Sequence, residues 1–249
     1  MFWWLTKYVF LGPILRLLYR PTVKGLENVP ESGGAILAPN HESFLDDFLL
    51  PLVCKRKVVM LAKADYFDKW WSAWFFKAAG CVPVRREGGS ASLAALQAGI
   101  DALKEGKLVG IFPEGTRSPD GRLYRGKTGV ARMALEAQVP VIPVALVGTY
   151  EAWPYDKKLP SSGRVEIRFG TPLSFERHFA TPADRFILRS VTDEIMYEIM
   201  LLSEQEYVDD YGSRIKRQIE RRERTVDLTD GAPEATQEAE STERSSGPA

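Results

Sequence analysis

The sequence predicts an α/β fold, a mixed and mainly parallel sheet of about seven strands with helices on its faces. Three observations carry this. Short apolar runs bounded by glycine, proline or charge recur along the chain, at 22–24, 35–38, 58–61, 82–84, 108–112, 141–146 and 165–169. Stretches of helical spacing fall between several of them, at 48–55, 66–78, 90–104 and 129–137. A chain of 249 residues, 45% apolar and 27% charged, is also long and apolar enough for one domain with a sizeable core.

Each element has its own reason. Residues 1–20, MFWWLTKYVFLGPILRLLYR, are apolar and aromatic but interrupted by Lys7, Gly12-Pro13 and Arg16. Spanning a bilayer takes about 20 apolar residues, so this stretch reads as a helix or helix pair lying in the membrane interface, with no cleavable leader; an ordinary helix capping the core and a true span are the alternatives. Trp3, Trp4, Tyr8 and Tyr19 suit the headgroup level. Phe10, Leu11, Ile14 and Leu17 can be buried in lipid, and Lys7, Arg16 and Arg20 suit anionic headgroups. The strand runs follow, separated by helical stretches; in 90–104 the residues Leu93, Leu96, Ile100 and Leu103 fall on one face. Residues 184–202 form an amphipathic helix, and SRIKRQIERRER at 213–224, with six bases and two acids, reads as a solvated basic helix. Residues 226–249 carry six acids, one base and few large apolar side chains, the composition of a disordered tail. The expected division is an interfacial helix at 1–20, a folded domain at 21–212, a basic helical segment at 213–225 and an acidic tail at 226–249.

The net charge of zero hides an asymmetry. The tail holds −5, which leaves +5 on the rest. A moderately basic body suits anionic substrates or an anionic membrane surface, and no nucleic-acid partner is expected. Two cysteines, Cys54 and Cys81, are too few for a disulfide framework, and with two scattered histidines, His41 and His178, no metal site is expected.

Four clusters carry chemistry. GRLYRGKT at 121–128 fits G-x-x-x-x-G-K-S/T, the phosphate loop of nucleotide triphosphatases. Such a loop directly follows a strand and is built of small residues, whereas here the preceding run ends at Phe112 and the interior is Arg122, Leu123, Tyr124 and Arg125. A nucleotide-binding protein is the alternative from another class. The second cluster, Glu114, Gly115, Thr116 and Arg117, sits at a strand's C-terminal end, where α/β folds place ligands. Arg117 offers a fork of donors to a phosphate. In the third, NHESFLDD, Ser43 and Asp46 resemble a capping box, and His41 lies five residues before Asp46. At a strand-to-helix corner the two can meet, giving an imidazole whose free nitrogen takes a proton from a hydroxyl. The same residues are also compatible with a plain helix cap and a packed histidine. No G-x-S-x-G elbow is present, so the hydroxyl belongs to a substrate. The fourth cluster is the strand end GCVPVRRE, with Arg85 and Arg86; Lys63 and Lys127 are further cations at a strand end and in a loop. If these strands are parallel, His41–Asp46, Lys63, Arg85/Arg86 and Glu114–Arg117 share one edge, and the substrate carries a hydroxyl and a phosphate.

Taken in order, Asn40-His41 to Asp46, Gly80 to Arg86, Phe112 to Ser118 and Val139 to Val144 resemble the four blocks of the glycerolipid acyltransferases, of the 1-acylglycerol-3-phosphate type. The resemblance covers about residues 20 to 170. It implies the fold of the glycerol-phosphate acyltransferases, with His41 as general base held by Asp46. It implies acceptor binding by Lys63, Arg86, Glu114, Gly115, Thr116, Arg117 and Lys127, and an acyl-donor side near Pro143. Arg85 stands where many members carry an aspartate. The expected reaction moves a fatty acyl group from an acyl thioester, acyl-CoA or an acyl-carrier protein, to 1-acylglycerol 3-phosphate, with glycerol 3-phosphate or another lysophospholipid as alternative acceptors. No cofactor is expected. The expected location is the cytoplasmic face of the cell membrane, peripheral or monotopic, on an anionic surface.

Overall fold

A computed structural model describes residues 6–63, 68, 81–84, 90–154, 157, 159–180 and 184–230. The chain forms two compact units, Met1–Ser213 and Arg214–Ala249. Among the described residues the first holds nine strands: β1 (Thr22–Lys24), β2 (Ala35–Pro39), β3 (Val58–Lys63), β4 (Val82–Val84), β5 (Leu108–Gly110), β6 (Leu123–Tyr124), β7 (Val141–Val147), β8 (Glu166–Phe169) and β9 (Tyr207–Val208). Its helices are α1 (Leu11–Tyr19), α2 (Asp46–Val53), α3 (Ser90–Lys104), α4 (Gly129–Ala137), α5 (Thr149–Ala152) and α6 (Arg185–Ser203); α7 (Gly212–Asp230) begins at its end.

Seven strands make one sheet in the order β1-β8-β7-β2-β5-β3-β4, every pair parallel except β7 with β8. The ends of β2, β3, β4, β5 and β7 therefore share one edge, as the strand-and-helix alternation requires. β6 and β9 form a separate parallel ribbon that the sequence reading did not include. β2 lies at the centre and is buried along its whole length. Alternate side chains face opposite sides: Ile36 and Ala38 pack with Val59, Ile100, Val130 and Ile195, while Ala35 and Leu37 pack with Leu15, Leu49, Ile142 and Ile167.

Several boundaries move for physical reasons. The run 108–112 pairs only to Gly110 and makes one more bond, Ile111 N–H to Leu37 O at 3.1 Å. Pro113 has no N–H to continue the ladder, and the chain turns away with Gly115 N–H bonded to Phe112 O at 3.0 Å. Helix α2 begins at Asp46, earlier than 48, after a turn in which Ser43 Oγ accepts Leu45 N–H at 3.2 Å and Asp46 Oδ2 accepts Ser43 N–H at 2.8 Å; its N-cap position, Leu45, has no side-chain cap. Asp184 caps α6 through the N–H groups of Phe186 and Ile187. α4 ends at Gln138, which is exposed and in the left-handed region at φ 55°. The helix expected at 66–78 lies outside the described residues.

α1 turns Leu15 and Tyr19 into the core and leaves Ile14, Leu17 and Leu18 exposed, Leu17 by 74%. Lys7 departs from expectation. It is 6% exposed and donates to the carbonyl of Cys54, at the end of α2, so it faces the protein rather than headgroups. Among the described residues no helix is long and apolar enough to cross a membrane. In the second unit the described residues, 214–230, are helical; the helix runs past 225, five residues into the stretch expected to lack structure.

Candidate active site

The site is built where β2 leaves the sheet. Asn40 follows β2 and its side-chain amide copies a peptide group: Oδ1 accepts Leu146 N–H at 2.7 Å, and Nδ2 donates to Leu146 O at 3.0 Å. This holds the chain beside β7 for one residue more and delivers His41 at the sheet edge. His41 is 4% exposed, and its ring stacks on Phe112 with centroids 3.8 Å apart and planes at 18°. Its main chain is held on both sides by the loop after β5: N–H donates to Glu114 Oε1 at 2.9 Å, and its carbonyl accepts Ser118 N–H at 2.7 Å.

His41 Nδ1 lies 3.0 Å from Asp46 Oδ2. The same oxygen accepts the N–H groups of Glu42 and Ser43, each at 2.8 Å, and Asp46 is fully buried. A carboxylate only accepts, so Nδ1 carries the proton and Nε2 keeps its lone pair. Asp46 thus ties the turn before the helix and orients the imidazole at once. Ser43 Oγ donates to Trp153 O at 2.8 Å and accepts from Leu45, which occupies it structurally and leaves the imidazole without a serine partner.

Of the expected acceptor residues, Glu114 is 2% exposed, and its two oxygens take His41 N–H and Tyr124 N–H, at 2.9 and 3.0 Å. It braces the histidine loop against β6. Gly115 adopts φ 67°, and a Cβ there would come 3.0 Å from Lys127 Nζ, so the lysine side chain lies over the glycine. Thr116 and Arg117 follow, half-buried. An adjoining cavity of about 360 Å³ is lined by Leu61, Leu96, Phe112, Gly115, Lys127 and Arg132, among others. β3 ends on Lys63, whose backbone reaches the same edge. β4 also ends there at Val84; Arg85 and Arg86, next in sequence, lie outside the described residues. Pro143 is buried in β7, opposite Ala38, and is not among the described residues lining that cavity.

In the stretch 121–128 the protein itself takes five N–H groups: Arg122 bonds to Asp120, Leu123 to Glu206 O, Tyr124 to Glu114, Arg125 to Asp210 O and Lys127 to Pro113 O. A phosphate cradle needs those donors free.

A family model described as Acyltransferase matches residues 20–147, from the turn before β1 to the end of β7. The chain belongs to the acyltransferase family. Among its relatives, the chloroplastic 1-acyl-sn-glycerol-3-phosphate acyltransferase LPAT1 of Arabidopsis thaliana is 33% identical over 62% of this chain and 44% of its own. The 1-acyl-sn-glycerol-3-phosphate acyltransferase of Bacillus subtilis (strain 168) is 31% identical over 76% of this chain and 91% of its own. The chain thus spans about half the length of the chloroplast relative and most of the bacterial one. The crystal structure of the 1-acyl-sn-glycerophosphate acyltransferase PlsC from Thermotoga maritima is similar with a TM-score of 0.60, at 27% identity over 73% of this chain and 71% of that one.

Two residues of this site were not singled out from sequence. Glu42 is 6% exposed; its Oε2 accepts the Thr149 hydroxyl at 3.4 Å and its Oε1 accepts the Gln205 amide. Burial first, then the carboxylates of Asp46, Glu151 and Glu114, push its carboxyl up to about 9, so it is protonated at neutral pH. Gln205 comes from the far end of the domain and carries no motif. Glu42 lies inside NHESFLDD, and a glutamate flanked by a buried His-Asp pair was the one available signal.

Proposed function

We propose that this acyltransferase moves a fatty acyl group from an acyl thioester to the free hydroxyl of 1-acylglycerol 3-phosphate, yielding phosphatidate in phospholipid biosynthesis. The observation that carries the reading is a buried His41–Asp46 pair, with no serine on the imidazole among the described residues, on the sheet edge that also bears Thr116, Arg117 and Lys127. His41 Nε2 takes the acceptor's hydroxyl proton as its oxygen attacks the thioester carbonyl. A C–O bond forms, the C–S bond breaks, and the proton passes to the departing thiolate; no acyl-enzyme is needed. Arg117, Lys127, Lys63 and Arg86 receive the phosphate, and the apolar wall of Leu61, Leu96 and Phe112 suits a hydrocarbon chain. The donor is acyl-CoA or an acyl-carrier protein, and no cofactor takes part. The names of the relatives support the same acceptor.

The protein works at the cytoplasmic membrane surface, seated by the outer face of α1. A lipid product leaving for water would expose its chain at roughly 0.8 kcal/mol per CH₂; release at a bilayer avoids that. The test is thiol release from an acyl-CoA in the presence of 1-acylglycerol 3-phosphate, glycerol 3-phosphate and an uncharged monoacylglycerol. Release should depend on the first of these above all. Equal use of the uncharged acceptor would remove the phosphate from the reading, and no acceptor-dependent release would end it.

A further inference from the structure

Gln205 lies just beyond α6. Glu204, at φ 62°, turns the helix end, and the following residues run as β9 alongside β6. The turn directs the Gln205 side chain back to the sheet edge, where its amide has three partners on two other segments. Oε1 accepts Asn40 Nδ2 at 3.0 Å. Nε2 donates to Glu42 Oε1 and, at 2.7 Å, to the carbonyl of Gly121. Asn40 and Glu42 are the two neighbours of His41. Gly121 belongs to the loop after β5 that carries Thr116 and Arg117, and Lys127 follows just beyond β6. The strap continues the bond pattern, since Leu123 N–H reaches Glu206 O and Arg125 N–H reaches Asp210 O, each at 3.0 Å.

We propose that Gln205 is a positioning residue for acyl transfer, holding the loop of the general base in register with the loop that receives the acceptor's phosphate. It touches neither substrate nor His41. The two loops also meet at His41 itself, through its main-chain bonds to Glu114 and Ser118 and its ring stack on Phe112, contacts that set the height of the histidine. One amide gripping both flanks of the base and the opposite loop sets the distance between the proton-taking nitrogen and the hydroxyl of a phosphate-anchored acceptor. A shift of that distance slows the chemical step and weakens acceptor binding together. The acyl donor makes no use of this contact.

The inference rests on His41 being the base, and the experiment separates the two. Gln205→Met matches the length and removes all three hydrogen bonds. With an acyl-CoA and 1-acylglycerol 3-phosphate, and rates corrected for the folded fraction, kcat should fall about tenfold and the acceptor KM rise about threefold, with the donor KM within about twofold of the parent. A merely structural role would lower the melting temperature and the active fraction while leaving the acceptor KM unchanged. Gln205→Glu, which keeps the oxygen for Asn40 but not the donors, is read by the same criteria if Gln205→Met does not fold. Parental kcat and acceptor KM in a folded variant overturn the proposal, and so does failure of both variants to fold. A parent protein without acceptor-dependent thiol release overturns the functional reading and this proposal with it; a transferring parent with an indifferent Gln205→Met overturns the proposal alone.

Discussion

His41 is held by four kinds of contact: a carboxylate on its ring, an aromatic face beneath it, and bonds to both its N–H and its carbonyl. Removing the imidazole leaves those partners to each other, so His41→Ala should fold while transfer drops by at least about 10², the usual worth of a general base. Asp46→Asn should be severe as well, because the amide no longer fixes the tautomer. Steady-state turnover of the folded variants checks this, and near-normal turnover in His41→Ala would sink the mechanism. Glu42 makes a second, independent prediction. A carboxyl at about 9 in the fold and 4.5 in its ordinary state contributes stability fully below the lower value, and that contribution is lost as pH rises towards the higher one. Glu42→Gln, neutral throughout, should therefore gain on the parent in melting temperature between about pH 5 and 9; parallel melting curves would refute it. The His41–Asp46 pair was legible because the partners are five residues apart and a turn signal lies between them. Gln205 was not, because its bond to Glu42 spans 163 residues and leaves no local pattern.

Among the elements, α1 shows what a sequence period can and cannot say. Its apolar content was legible, but which residues turn inward depends on a partner, and α2 supplies it by taking Lys7 at its end and Leu15 in its core. Cutting away residues 1–20 would thus strip Leu15 and Tyr19 from the core and confuse folding with attachment. Ile14→Asp with Leu17→Asp is cleaner, since both side chains are exposed, by 55% and 74%. Each lost aliphatic anchor removes about 1.5–3 kcal/mol of burial, so affinity for anionic vesicles should fall more than tenfold with the melting temperature unchanged. Flotation decides it: a double variant that still floats with lipid places the anchor elsewhere. The β6–β9 ribbon escaped the sequence reading for a different reason. Two-residue strands have no period to detect, and 121–128 was more conspicuous as a phosphate-loop pattern than as a strand partner for 207–208.

Across the whole molecule, the parallel sheet and its number of strands followed from short apolar runs alternating with helical ones, while the strand order did not. The central runs are apolar on both faces, and nothing in β2 says that β5 and β7 are its neighbours. That order nevertheless decides the chemistry, because it sets the ends of β2 and β5 side by side and so places His41 against Phe112 and Glu114. Stability is also a property of the whole, and one detail of the fold bears on it as an engineering opportunity. Gln138 closes α4 with a backbone that side chains resist, at φ 55°, and its own side chain is exposed. Glycine takes that conformation without the steric cost of a Cβ, offset in part by the greater freedom it loses on folding. Gln138→Gly should leave a net gain of about 0.5–1 kcal/mol, which in a protein of this size is a rise of roughly 1–4 °C in melting temperature. Calorimetry of the single variant would show it, and the sturdier protein would tolerate the long incubations that slow acceptors demand.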